Sequence, residues 1–399
     1  MVTKNIFDKV LRRLTFGTLE VDYWGTDTRV YGHGEPKAHV LIKNKQVLTN
    51  ILRRFDLGFG EAYMDQLIEV DEKSLLNLLA ISNLNKDMFV PGVGKNFGRR
   101  MSYRYEHNAK PNQKRQIQSH YDVGNDFYRL WLDDTMTYTC AYYKTPKDTL
   151  EQAQRQKIDH VLRKLRLEKG HEFVDIGCGW GHLVVRAAKL YGAKGLGVTL
   201  SKEQYEFATE LAKREGVSDL AKFKQMNYQD LLPSDKQYDR VISVGIFEHV
   251  GRGNHDQYFE VVDKLLKPGG VSVLHSITQQ KENLMPAWID KYIFPGGYIP
   301  SLRETIWKIP DYGFRLTDVE NLRPHYALTL LEWLRRFEEH LPEIRTMGYD
   351  ERFIRMWRLY LVGSINSFAN GGNDLSQIVF TKGINDDIPL TREYLYKTK

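Results

Sequence analysis

The sequence holds only two cysteines in 399 residues, Cys140 and Cys178. They lie too far apart for a C-x-x-C site, which excludes a disulfide framework and a cysteine-rich zinc centre and matches a reducing cytoplasm. No apolar run approaches ~18 residues, so no ordinary transmembrane helix is expected. The opening MVTKNIFDKVLRRLTFG has no apolar core followed by a small-residue cleavage site, which argues against a secretory signal. Internal repeats and low-complexity tracts are missing too. A hydrophobic fraction of 42% is enough to fill a substantial core, and at about 150 residues per domain the length predicts two or three domains.

What the chain has is a lopsided charge. Residues 1–119 carry nineteen Lys and Arg against thirteen Asp and Glu, whereas the remaining 280 residues are neutral. The excess is concentrated between Lys86 and Arg115, where eight basic side chains face only Asp87 and Glu106. Such a stretch suits an anionic partner: phospholipid headgroups, nucleic acid or an acidic metabolite. From charge alone a solvated linker is the better reading.

Three textures divide the chain. Residues 1–85 read as a small, mainly helical domain. Its first helix puts Ile6, Phe7, Val10, Leu11 and Leu14 on one face, and a second helix covers Lys73–Leu84, with Ser74 as a candidate start. Residues 86–119 lack periodicity and read as a basic linker. From 120 to 399 strands and helices alternate, which predicts an α/β domain with a mostly parallel sheet. Its strands are expected at Glu172–Ile176, Gly195–Thr199, Lys222–Met226, Arg240–Val244 and Val271–Ile277, with two more at Phe314–Leu322 and Gln377–Thr381. Helices are expected at Leu150–Leu167, 180–191, 202–215 and 255–266, and a largely helical stretch from about 326 to 368.

The strongest local signal is FVDIGCGWGHL at 173–183. An apolar strand ends at Asp175, and Gly177, Gly179 and Gly181 lead straight into a helix. Glycines there let the backbone turn tightly and let a ligand approach main-chain atoms. The spacing is not the G-x-G-x-x-G of dinucleotide sites, and no Lys-Ser/Thr pair follows as in a phosphate-binding loop. The D-x-G-x-G-x-G pattern instead resembles the first motif of S-adenosylmethionine-dependent methyltransferases, in which the loop lies against the amino-acid end of the cofactor. In register behind it, Thr199, Leu200 and Gln204 stand where ribose contacts are expected, and Asn227 and Tyr228 where adenine is clasped.

At the rim of the later strands lie VGIFEHVG (244–251) and LHSIT (274–278). The N/D-P-P-Y/F/W motif of base-modifying methyltransferases is missing, which moves nucleic acid away from the front rank. The set HYDVGND, TYTCAYY, DIGCGWG, GIFEHVG, LLKPGG, LHSIT, KYIFPGGYIPS and PHYALTLLEW resembles cyclopropane-fatty-acyl-phospholipid synthases, within the mycolic acid cyclopropane synthase-like methyltransferases. It covers the chain from about 119 to the C-terminus.

The resemblance implies a Rossmann-like methyltransferase domain behind a smaller domain for lipid binding or dimerisation. It also implies methylene transfer from S-adenosylmethionine to the cis double bond of an unsaturated phospholipid acyl chain. Tyr138 and Thr139 would join the cofactor site, and Tyr138, Tyr142, Tyr143, Phe247 and Tyr326 would line the reacting region. Bound bicarbonate would act as base, held by Glu248, His275, Tyr326 and the main chain of Cys140 and Ile277, with its own proton given to Glu248. Some relatives carry a cysteine where this chain has Ser364, so a thiol there is not required. No metal is implied. The expected partner is a bilayer, met peripherally at its cytoplasmic face through the basic stretch, the first helix or Met285, Trp288, Ile293, Phe294 and Ile299; a homodimer is a further expectation. The rival readings are a small-molecule N- or C-methyltransferase and a catalytically silent RNA- or lipid-binding protein.

Overall fold

A computed structural model describes residues 2–85, 124–233 and 235–396. The expected linker, with the basic stretch between Lys86 and Arg115, lies outside the described residues. Two compact units emerge. The first takes in residues 1–105, 284–295 and 330–372, and the second takes in 106–283, 296–329 and 373–399.

The first unit begins with α1 (Val2–Leu11), β1 (Gly17–Tyr23), β2 (Asp27–His33), β3 (Lys37–Ile42), α2 (Lys45–Met64), β4 (Ile68–Glu69) and α3 (Glu72–Leu84). Helical residues outnumber strand residues, as expected, yet a four-stranded sheet in the order β2-β1-β3-β4 forms its centre. The alternation in GTLEVDY sends Leu19, Val21 and Tyr23 into a core shared with Val40, Ile42, Val47 and Leu48. The first helix packs on this domain through Leu11 and leaves Ile6 exposed. Helix α3 starts two residues before the expected Ser74: Asp71 caps it, its carboxylate accepting the Ser74 N–H.

The second unit follows through α4 (Asn125–Trp131), α5 (Leu150–Leu165), β5 (Glu172–Ile176), α6 (His182–Tyr191), β6 (Lys194–Thr199), α7 (Lys202–Arg214), β7 (Ala221–Gln225), β8 (Tyr238–Val244), α8 (Phe247–Val250), α9 (His255–Leu265) and β9 (Leu266–Thr278). The chain enters the first unit again in α10 (Ala287–Tyr292). The second unit then adds α11 (Leu302–Lys308), β10 (Phe314–Asn321) and the first turns of α12 (Arg323–Glu339). The rest of α12, α13 (Leu341–Thr346) and α14 (Glu351–Ala369) belong to the first unit, and β11 (Asp374–Lys382) closes the second.

The single block expected from 120 to 399 is therefore corrected, and the reason is packing. The Trp288 ring lies so close to Gly60 that a Cβ there would come within 2.1 Å of it. The Arg355 guanidinium donates to the Tyr63 and Ile68 carbonyls at 2.5 and 2.6 Å, and Asn366 donates to Leu76 O at 3.1 Å. Trp288 and Ile293, read as a possible docking surface, are core residues at 4% and 1% exposure. Ser364 lies on α14, within the first unit.

The seven-stranded sheet of the second unit runs β10-β11-β9-β8-β5-β6-β7. Strands β9, β8, β5, β6 and β7 are parallel, and β11 is antiparallel to both neighbours. Strand β5 is buried at four of its five positions, as a strand covered on both faces must be. One core layer gathers Phe173, Val184, Leu211 and Val273, and another gathers Val174, Tyr258, Phe259 and Phe380. The order reverses between β5 and β8, the switch point at which open α/β sheets hold their ligands.

Candidate active site

The carboxyl ends of β5, β6, β7 and β8 surround one cavity, and every residue expected to contact the cofactor lines it: Tyr138, Thr139, Asp175, Gly177, Gly179, Gly181, Thr199, Leu200, Gln204, Asn227 and Tyr228. The glycine loop is shaped for this. Gly177, Gly179 and Gly181 have φ of +80°, +54° and +84°, a region that L side chains rarely adopt. A Cβ on Gly177 would also meet Ile246 Cγ1 at 2.2 Å.

Around the loop, side chains tie one another in place. The Thr199 hydroxyl donates to Gln204 Oε1 at 2.7 Å, and Ser201 caps α7 by accepting the Gln204 N–H. Asn227 Oδ1 accepts the Gln229 N–H at 3.0 Å, which starts the short turn carrying Tyr228. Tyr138 packs against Tyr128 and Trp131, with ring centroids 5.4 and 5.3 Å away. Asp175 is 2% exposed with Oδ1 unpartnered among the described residues, and burial pushes its carboxyl up to about 7. A cationic ammonium is the natural complement of such a group.

Sequence reasoning missed Lys157. Its stem and ammonium lie on the buried side of α5, line the same cavity and donate to Thr139 Oγ1 at 2.8 Å. Burial pulls its pKa down to about 8, while Asp133, Cys140 and Asp175 act to raise it. Gln154, one turn earlier, donates to the Thr137 and Thr139 carbonyls at 3.1 and 2.8 Å. Neither residue has a sequence signal beyond its spacing on a helix.

The second expected set, Cys140, Glu248, His275, Ile277 and Tyr326, does not line this cavity but adjoins it through neighbours. Cys140 follows Thr139, Glu248 precedes His249, and the lining residue Gly245 donates its N–H to His275 O at 2.8 Å. Backbone pairings lead from Ile277 to Tyr326. Ile277 pairs with Leu375, Leu375 O accepts the Leu322 N–H at 2.7 Å, and Leu322 O accepts the Tyr326 N–H at 3.3 Å. Thr329, one turn after Tyr326, accepts the Ala141 N–H at 3.0 Å.

Glu248 and His275 are buried at 6% and 1% exposure. Burial pushes the Glu248 carboxyl up to about 7, against the pull of the Ile277 amide. Burial likewise holds the His275 imidazole well below the usual histidine range. Glu248 Oε2 and His275 Nε2 both lack a partner among the described residues, so each keeps hydrogen-bonding capacity. One expectation is corrected here. Of the Ile277 main chain, assigned to bicarbonate, the N–H donates to Glu248 Oε1 at 2.5 Å, because a buried carboxylate takes a nearby donor.

Two aromatic assignments are corrected as well. Tyr142 is stacked between His160 and His325 at 4.2 and 4.8 Å, and Phe247 is fully buried against His255 at 4.2 Å. Tyr138 lines the cavity, whereas Tyr143 and Tyr326 are half-buried outside it. The Cys140 thiol is buried against the Ala141 and Leu322 carbonyls, and burial pushes its pKa strongly up, which is the opposite of an activated nucleophile. Among the described residues, no His, Cys, Asp and Glu cluster suits a metal, and no helix is long and apolar enough to cross a membrane.

Comparison with known proteins agrees with this architecture. The family model described as mycolic acid cyclopropane synthetase matches residues 108–378, and a domain of unknown function, DUF7884, matches residues 6–92. The chain is 37% identical over 363 residues to the cyclopropane-fatty-acyl-phospholipid synthase of Escherichia coli K12, spanning 90% of this chain and 92% of that one. It is 36% identical over 371 residues to a probable fatty acid methyltransferase of Pseudomonas putida, spanning 91% and 92%. Among solved structures, the mycolic acid cyclopropane synthase CmaA1 complexed with SAH and CTAB is similar, with a TM-score of 0.63 at 33% identity. That match covers 67% of this chain and 98% of CmaA1.

Proposed function

The chain belongs to the mycolic acid cyclopropane synthetase family, and from that premise we propose that it transfers a methylene group from S-adenosylmethionine to the cis double bond of an unsaturated phospholipid acyl chain. The observation that carries the reading is the pairing of two features. A cavity lined by the expected cofactor contacts stands at the switch point, and a buried acid and imidazole with unpartnered atoms adjoin it.

In this reading Asp175 takes the cofactor's ammonium, the Gly177–Gly181 backbone its amino-acid end, Thr199 and Gln204 its ribose, and Asn227 and Tyr228 its adenine. Lys157 holds Thr139 against the reacting end. An alkene is a weak nucleophile, so the sulfonium methyl must be held close and in line in a dry pocket. The alkene pair attacks the methyl carbon, and the C–S pair leaves on sulfur. Positive charge is left on the second alkene carbon, where the Tyr138 ring face stabilises it. Loss of a proton from the added methyl then lets the C–H pair close the ring.

The donor set fits bicarbonate, which supplies the base for that proton when bound. Glu248 would take its acidic hydrogen and His275 and Tyr326 would donate to its oxygens, while Ile277 holds Glu248 rather than the ion. The membrane partner rests on the charge between Lys86 and Arg115, where each basic residue near an anionic surface contributes about 1 kcal/mol.

The test is incubation with isotopically labelled S-adenosylmethionine and unsaturated phospholipid vesicles, followed by analysis of the acyl chains by mass and by ring-proton resonances. Cyclopropane product is expected, dependent on bicarbonate. Glu248→Gln, His275→Ala and Tyr326→Phe should each lose turnover and retain cofactor binding; full activity in all three would sink the bicarbonate site. A labelled methyl-branched chain would instead favour fatty acid methylation, the activity for which the Pseudomonas relative is named.

A further inference from the structure

A neutral imidazole carries one proton, and the group that meets one ring nitrogen decides which nitrogen holds it. His275 is buried at 1% exposure, and burial keeps the ring uncharged at neutral pH. Its Nε2 lacks a partner among the described residues, so the tautomer determines whether this atom offers an N–H or a lone pair. The other nitrogen, Nδ1, lies 3.1 Å from the carboxamide nitrogen of Gln377. That contact is built into the sheet: Gln377 stands directly opposite His275 in the β11–β9 ladder and is itself fully buried.

A carboxamide NH2 only donates, so Nδ1 must accept. We propose that Gln377 is a positioning residue that holds His275 as the Nε2–H tautomer, making the ring a hydrogen-bond donor toward the group that Glu248 also binds. The assignment separates two chemistries. Had Gln377 turned its carbonyl oxygen to the ring, Nδ1 would carry the proton and Nε2 would be an acceptor. An anion needs the first arrangement. A wrong tautomer in an otherwise intact site is costly, and for metal-ligating histidines the residue that hydrogen-bonds the far ring nitrogen typically matters by about 10–100-fold. The consequence for turnover rests on the bicarbonate reading above; the tautomer does not.

The experiment uses the full chain, free of ligand and labelled with 15N-histidine, and reads the two ring nitrogens by two-bond proton–nitrogen correlation. His275 is picked out from the twelve histidines by the signals lost in His275→Gln. Wild type should show a protonated Nε2 and a lone pair on Nδ1. Gln377→Glu, which keeps the shape but presents an accepting carboxylate, should move the proton to Nδ1. It should also lower kcat about 100-fold, with KM for S-adenosylmethionine changed less than about threefold. Gln377→Met, which keeps the volume without a donor, should give a mixture of tautomers and is the fallback where the buried Glu prevents folding. A wild-type ring protonated on Nδ1, or variants with the wild-type tautomer, would overturn the inference. A wild-type Nε2–H that shifts in the variants sustains it, even where turnover proves indifferent to bicarbonate; that result would overturn the bicarbonate reading alone.

Discussion

Replacing Glu248 by Gln removes a titration whose size follows from its surroundings. The carboxyl is buried, with one oxygen on the Ile277 amide at 2.5 Å, and is pushed up from 4.5 to about 7. At 1.36 kcal/mol per pK unit, ionising it inside the fold costs about 3 kcal/mol more than ionising it in the unfolded chain. The direction is fixed by the sign of the shift. Because the folded pKa lies above the unfolded one, the folded state keeps its proton between pH 4.5 and 7 while the unfolded state releases it. Stability from this group is therefore complete below pH 4.5, falls across that window, and stays low above pH 7. Gln keeps an oxygen for the Ile277 amide but does not titrate. Wild type should thus lose about 3 kcal/mol relative to Glu248→Gln between pH 4.5 and 7.5. Urea unfolding of both proteins across that range measures the difference, and carboxyl 13C resonances of labelled glutamate report the pKa directly. A Glu248 resonance titrating near 4.5, or a stability difference flat with pH, would refute the reasoning. An acid poised near neutrality can exchange a proton with a bound group at little cost, which is the property the proposed chemistry asks of it.

Gly177→Ala puts a Cβ 2.2 Å from Ile246 Cγ1 at a φ of +80°. It should cost about 2–4 kcal/mol of stability and at least about tenfold in affinity for S-adenosylhomocysteine; calorimetry showing wild-type binding would contradict the loop's assigned place. Charge reversal of Arg99, Arg100 and Arg104 together should weaken sedimentation with anionic phospholipid vesicles in a salt-sensitive way, by about 1 kcal/mol per residue relative to removal of each charge. Unchanged sedimentation would remove the basic stretch from the proposed membrane contact.

Much of the second unit was legible because its central strands, β5, β9 and β11 above all, are buried on both faces. They therefore read as short apolar runs closed by glycine or polar residues. Glu172–Ile176 matches to the residue, five of the others match within three residues at each end, and β9 starts five residues earlier than expected. Its glycine loop was legible for a related reason, since tight turns at positive φ restrict residue choice. The first unit was not, because its composition depends on contacts between distant segments. Nothing in the neighbourhood of Gly60 announces that Trp288 will lie over it, and an isolated amphipathic stretch such as 285–294 looks the same whether protein or lipid covers it. Phe247 and Tyr142 misled for a different reason. A motif tells which residues occupy a rim, but the ring's direction depends on what stacks on it, here His255 in one case and His160 with His325 in the other.

Helix α5 shows why part of the site stayed hidden. Hydrophobic periodicity assigns polar positions to solvent, yet Gln154, Lys157, His160 and Lys164 are all on the buried side of this helix. Each has a partner that compensates for the burial. Gln154 serves two carbonyls and Lys157 a hydroxyl, while His160 and Lys164 converge on one oxygen of Glu320 at 2.7 and 2.5 Å. A buried polar group without such a partner costs a few kcal/mol, so a row of four is tolerated only where the facing segment supplies complementary atoms. For the first two that segment is 137–139, which lines the cavity. Gln154 and Lys157 therefore position Thr139 and its neighbours with groups that cannot be moved cheaply. The residues that look least like a core are the ones that hold the cavity wall in place.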